Sequence, residues 1–289
     1  MFEIRSKKNI RQSLLNHLRP LILLLSTGSL TIAQTNAEKH RPAYEQAINS
    51  HWQVKLTNST HKEWNQNWFI DGYKATLKNT EKGFYYASGS IAGDNASHSV
   101  LWTHENFAGD LKIEFDYTRL DTIYQYVNIL YLYATGAGPA PYVEDIEAWS
   151  DLRQIPYMSS YFNHMNLLHI SFAAFDNSVD TGKESAYIRA RRYPSSLFGG
   201  SFHKMAIPPD YTAVGLFEPG VLHHVTVIRK ENDLFMNVQS PEESRLFYWD
   251  LTDMPALNQG RIGIRHMHQR TALYHNLTIS EAAESETSQ

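Results

Sequence analysis

The chain of 289 residues carries no cysteine, 14 histidines, 17 tyrosines and a formal charge of −4. Without cysteine it cannot be a disulfide scaffold, a thiolate zinc or iron–sulfur protein, or an enzyme with a cysteine nucleophile. The mild acidity argues against a general nucleic-acid binder. With 19% charged and 12% aromatic residues, it suits an aromatic-rich β protein, not a disordered or coiled-coil one.

Residues 1–33 read as a signal peptide. Lys7, Lys8, Arg11 and Arg19 form a basic leader, Leu21–Leu25 opens a short apolar stretch, and Thr31–Ala33 precedes a cleavage site at Gln34. That stretch is short for a bilayer, and no later segment approaches the ~18 apolar residues of a spanning helix. The expectation is an exported protein of a bacterial periplasm or cell surface, with no membrane span after leader removal. Residues 34–50 form a lead-in, 51–280 a single β domain and 281–289 a polar tail.

Within the domain, Leu111, Ile113, Phe115 and Tyr117 alternate with Lys112, Glu114, Asp116 and Thr118, the period of a half-buried strand. Tyr124–Tyr133 predicts a more apolar strand ended by Gly136-Ala-Gly-Pro139. Tyr142–Asp151 is the best helical candidate. Further strands are expected at 166–172, 185–193, 223–229, 234–239, 260–266 and 273–280, with a hairpin turn at Asn232-Asp233. Many short strands and almost no helix imply an all-β sandwich or jelly roll.

Three strands carry side chains suited to chemistry. In Tyr187–Tyr193, alternation places Tyr187, Arg189, Arg191 and Tyr193 on one face, with Ile188 and Ala190 on the other. Two guanidinium groups among phenols suit a groove for an anionic sugar, because Arg forks match carboxylate or sulfate. A bulge at Arg192 would turn that side chain into the same groove. The plainer reading is a solvated face with Arg stems over Tyr rings.

In the second strand, Leu167, His169 and Ser171 share a side opposite Asn166, Leu168, Ile170 and Phe172. His169 is a candidate acid or base, with Tyr157 or Tyr161 as a phenol partner. Equally, it is a hydrogen-bonded structural histidine. In the third, Ile262 and Ile264 point inward, and Arg261, Gly263 and Arg265 outward. Gly263 leaves room for a close approach. His266 and His268 share a face but lack a third ligand, so no metal site is assigned. Glu114-Phe-Asp116 resembles part of a retaining-glucanase motif, yet Arg119 stands where its third carboxylate belongs. A close carboxyl pair is therefore missing.

Trp102–Phe107, Asn166–Phe172, Gly260–Met267 and Ala272–Tyr274, in that order, resemble the YesU-like family over roughly residues 65–280. The resemblance implies a concanavalin A-like (lectin/glucanase) β-sandwich jelly roll. It also implies action on uronate-containing polysaccharides, with the ulvan oligosaccharide dehydratase type as the nearest functional likeness. Asn166, His169, Arg265 and Tyr274 fall on family-pattern positions, and Arg191 or Arg192 on a basic one; Trp102, Asn166 and Tyr274 are expected to bind substrate.

β-Elimination from a uronate needs a cation on the C6 carboxylate, a base for the C5 proton and an acid for the oxygen leaving C4. The expected assignment is Arg189, Arg191, Arg192 and Arg265 to the carboxylate or a sulfate. His169 serves as base or acid, and Tyr161 or Tyr187 as its partner. The expected activity is a carbon–oxygen lyase, either a dehydratase or a polysaccharide lyase, acting on an anionic oligosaccharide. No cofactor is required, and a structural calcium is compatible with the fold. A non-catalytic carbohydrate-binding module and a glycoside hydrolase of the same fold are the alternatives.

Overall fold

The computed structural model describes residues 32–58, 63–178 and 182–283. Most of the expected leader and all but the first residues of the expected tail lie outside this range. Helices α1 (Ile32–Glu38) and α2 (Arg41–Ile48) come first. They are followed by β1 (Trp52–Thr57), β2 (Trp68–Asp71), β3 (Thr76–Thr80), β4 (Gly83–Ala87), β5 (Ser99–Thr103) and β6 (Phe107–Ala108). Next come β7 (Leu111–Arg119), β8 (Asn128–Gly136), helix α3 (Met158–His164) and β9 (Met165–Phe175). The rest are β10 (Ala186–Tyr193), β11 (Ala206–Thr212), β12 (Leu222–Lys230), β13 (Asp233–Gln239), β14 (Ser244–Asp250), β15 (Gln259–His266) and β16 (Thr271–Ala282).

All pairings are antiparallel. One sheet runs β14-β13-β12-β7-β16-β4-β3, with β1 added to β16. The other runs β11-β10-β9-β8-β15-β5-β2, with β6 added to β15. Their facing sides make the main core. Phe115 and Tyr117 of β7 meet Phe172 of β9 at ring separations of 5.8 and 5.5 Å. Each such buried aromatic contributes about 1.5–3 kcal/mol.

β7 alternates as its sequence predicts: Leu111, Ile113, Phe115 and Tyr117 are buried, and the polar residues between them face water. Glu114 pairs there with Lys112, and Asp116 with His224 and Asn276. Both carboxylates therefore sit on the wet face of the first sheet, apart from the second sheet's outer face.

β8 and β9 are buried on both faces, because residues 142–164 fold over part of the second sheet. A short 3-10 helix at Ile146–Arg153 and α3 form this cover. It is fastened by Asp71, whose Oδ2 accepts from Arg153 Nε at 2.6 Å, Trp102 Nε1 at 2.7 Å and Tyr161 Oη at 2.9 Å. Arg265 adds a bond to the Pro156 carbonyl at 2.6 Å. The cover stops short of one end of the sheet.

Three local expectations are corrected. The strand expected from Tyr124 begins at Asn128, because Arg270 takes the Ile123 and Gln125 carbonyls and Tyr126 adopts φ 65°. The hairpin turn is Glu231-Asn232, with Lys230 paired to Asp233. The helix expected at Tyr142–Asp151 is shifted to Ile146–Arg153, and α3 follows it. The lead-in is helical, and α1 packs on β14 through a Gln34 bond to the Leu246 carbonyl.

Candidate functional site

Beyond the cover, the outer face of the second sheet forms a cavity of about 570 Å³ over β8, β9 and β10. Its floor holds Ile129, His169 and Ser171, and one wall carries Tyr187, Arg189 and Arg191. Met158 and Phe162, one turn apart on α3, close a second wall with Phe202. Tyr126, Val127 and Met267 make the rim, and Asp176 and Glu184 stand at the open side.

Alternation along β9 and β10 assembles this set. His169 and Ser171 lie on the outer side, while Leu168, Ile170 and Phe172 fill the core. On β10, Ile188 and Ala190 are inward and Arg189 and Arg191 outward. The antiparallel register sets Arg191 opposite His169 and Arg189 opposite Ser171. The register shifts by one residue between Tyr187 and Arg189; the extra residue lies on β9, where Ala173 has φ 43°, and the alternation of β10 is unbroken.

His169 Nδ1 is 2.7 Å from Tyr193 Oη, and its Nε2 is 2.7 Å from Ser171 Oγ. Burial, reinforced by the Arg191, Arg265 and Arg189 charges, holds this imidazole well below its usual range. It is neutral at neutral pH. Burial also raises the Tyr187 phenol and lifts Tyr193 well above the usual value.

The two wall arginines differ. Arg189 gives two 2.7 Å contacts to Asp210, so its charge is already answered. Arg191 stacks on Phe202 at 4.3 Å and donates to the Phe202 carbonyl at 3.2 Å. It is 8% exposed, and no described carboxylate lies within ion-pair distance.

The other expected site residues lie elsewhere. Arg192 keeps the strand alternation and turns away from the cavity to the Pro255 and Ala256 carbonyls, so no bulge brings it in. Burial lowers its pKa to about 10. Tyr161 is bonded to Asp71 beneath the cover, with its phenol raised well above the usual range. Arg265 is fully buried against Tyr161, His98 and Pro156. Trp102 lies over Gly263, whose missing Cβ would sit 2.3 Å from the indole; the close approach expected at this glycine is made by Trp102.

Asn166 faces a separate small cleft, bonded to Thr135. Tyr274 is in the inter-sheet core, where its hydroxyl meets His266. His268 packs instead on His98 and Tyr126. Among the described residues no group of three His, Asp or Glu could hold a metal ion.

Ser171, Phe162, Phe202 and Asp210 enter the site without having been singled out. Ser171 was legible as the next outward residue after His169. Phe202 and Asp210 reach it from outside the predicted strands, and no local pattern marks them.

No family model and no curated protein sequence matches the chain. Among solved structures, a Bacillus subtilis protein of unknown function with a galectin-like fold matches at a TM-score of 0.55 and 15% identity, over 80% of this chain and 100% of that one. The exoplasmic/lumenal domain of VIP36, bound to Ca2+ and Man3GlcNAc, matches at 0.50 and 12%, over 81% and 93%. The chain has a lectin-type β-sandwich fold. At these identities the likeness is one of fold, and it agrees with the concanavalin A-like sandwich expected from the sequence. No helix among the described residues is long and apolar enough to cross a membrane.

Proposed function

We propose that this chain is an exported carbohydrate-binding protein whose cavity takes an acidic oligosaccharide, with a uronate carboxylate or a sulfate set against Arg191. The observation that carries this reading is the Arg191 guanidinium. It is buried in the wall of an aromatic-lined cavity, and no described carboxylate pairs with it. Asp210 acts on it only from beyond ion-pair distance; a buried cation without a contacting anion is costly, and a ligand oxygen pair in bidentate contact supplies that contact. Phe162, Phe202 and Tyr187 offer apolar surface to the sugar rings. The lectin-type structural neighbours, one of them bound to a mannose-containing glycan by its description, support saccharide recognition as the role of the fold here.

Calorimetric titration with oligogalacturonate, ulvan, alginate and glycosaminoglycan fragments tests this, with neutral oligosaccharides as controls. Binding of an acidic oligosaccharide, weakened by Arg191→Met, is the expected result. Equal binding of neutral sugars, or none of either, refutes it.

A second reading is β-elimination from the bound uronate. Its support is the neutral His169 directly across from Arg191. It requires an ultraviolet-absorbing 4,5-unsaturated product, and an unchanged spectrum with a bound ligand rules it out.

A further inference from the structure

We propose that Tyr193, His169 and Ser171 form a one-way hydrogen-bond relay, and that the Ser171 hydroxyl is its outermost donor, aimed at an anionic ligand oxygen in the cavity. The ligand in this proposal rests on the binding function proposed above. The polarity of the relay rests on donor and acceptor counting around an imidazole that burial keeps neutral.

A neutral imidazole has one N–H and one lone pair. Here Nδ1 meets Tyr193 Oη and Nε2 meets Ser171 Oγ, each at 2.7 Å. Tyr193 is fully buried, and its hydroxyl has no other hydrogen-bond partner among the described residues. A proton on Nδ1 would donate to the phenol oxygen and leave the phenolic hydrogen without an acceptor in dry surroundings. A proton on Nε2 satisfies every member. Tyr193 donates to Nδ1, and Nε2–H donates to Ser171 Oγ.

The Ser171 hydrogen is then the one left to give, and Ser171 lines the cavity floor. Accepting from His169 also polarises the serine hydroxyl toward donation. With Arg191 on the adjoining wall, the cavity offers a hydroxyl donor and a guanidinium fork to the same class of ligand oxygen. This polarity withholds the Nε2 lone pair from the cavity, so His169 presents no base there. The relay thus favours binding and counts against the β-elimination reading, which needs a His169 lone pair open to the cavity.

Nitrogen-15 NMR of the histidine-labelled full chain reads the tautomer without any ligand. A pyridine-type Nδ1 and a protonated, pyrrole-type Nε2 are expected for His169, and a pyrrole-type Nδ1 overturns the relay. In titrations with oligogalacturonate, Ser171→Ala should weaken binding roughly tenfold, whereas Ser171→Thr, which keeps the hydroxyl, should retain most of it. Undiminished binding by Ser171→Ala overturns the donor role. If the unmodified chain binds no acidic oligosaccharide, the function proposed above fails by itself, and the tautomer alone then decides the relay.

Discussion

Arg191 stands directly across the β9–β10 pair from His169, and both side chains face the same cavity. A strand register thus puts a permanent cation beside an imidazole that the same burial keeps neutral. An anion that reaches the cavity floor meets the Arg191 cation there, and no protonated His169 stands beside it.

The two wall arginines should not be equivalent. Arg191→Met removes the cation without a described carboxylate partner and should cost about tenfold or more in affinity for an acidic oligosaccharide. Arg189→Met should cost about threefold or less, because Asp210 already holds that side chain. Asp210→Asn should strengthen binding by freeing Arg189. Calorimetry on the three variants checks this order.

Acid should destabilise the protein through its buried neutral histidines. His169 and His266 have pKa values well below the usual one, chiefly from burial. Between the folded pKa and about 6.5 the unfolded chain binds the extra proton, so stability is complete above about pH 6.5 and falls as pH drops. Each such histidine contributes a slope of up to about 1.4 kcal/mol per pH unit. Denaturant unfolding across pH 4–8 should show the fall, made shallower by His169→Gln.

Asp71 should be among the most sensitive positions for stability. Its Oδ2 accepts from Arg153, Trp102 and Tyr161 in a site closed to solvent. Asp71→Asn would leave Arg153 charged and buried without a counter-ion, a loss of about 3–5 kcal/mol. Adding Arg153→Met should recover part of it. Urea unfolding of the single and double variants measures both.

Gly263→Ala should destabilise by about 1–3 kcal/mol. The new Cβ would lie 2.3 Å from the Trp102 ring, which is itself fixed on Asp71 and stacked on Tyr131. Thermal unfolding checks the loss, and an unchanged midpoint would mean that the indole can move.

Alternation was the legible part of this chain. It correctly separated Leu168, Ile170 and Phe172 from His169 and Ser171, and Ile188 and Ala190 from Arg189 and Arg191, because a strand turns successive side chains to opposite faces. It did not reveal that Arg265, although on the outward side of β15, is sealed beneath α3 and the Pro156 segment. Nor did it reveal that Tyr161 serves Asp71, which lies 90 residues away in sequence.

By itself the sequence determined the sandwich and the faces of β7, β9 and most of β10, since these follow from a local period of two. Only the tertiary structure decided which outward residues share a cavity. That choice depends on strand order and register, and on a cover whose attachments join residues far apart in the chain. It left Arg189, Arg191, His169 and Ser171 lining one open cavity and sealed Arg265 and Tyr161 under the cover.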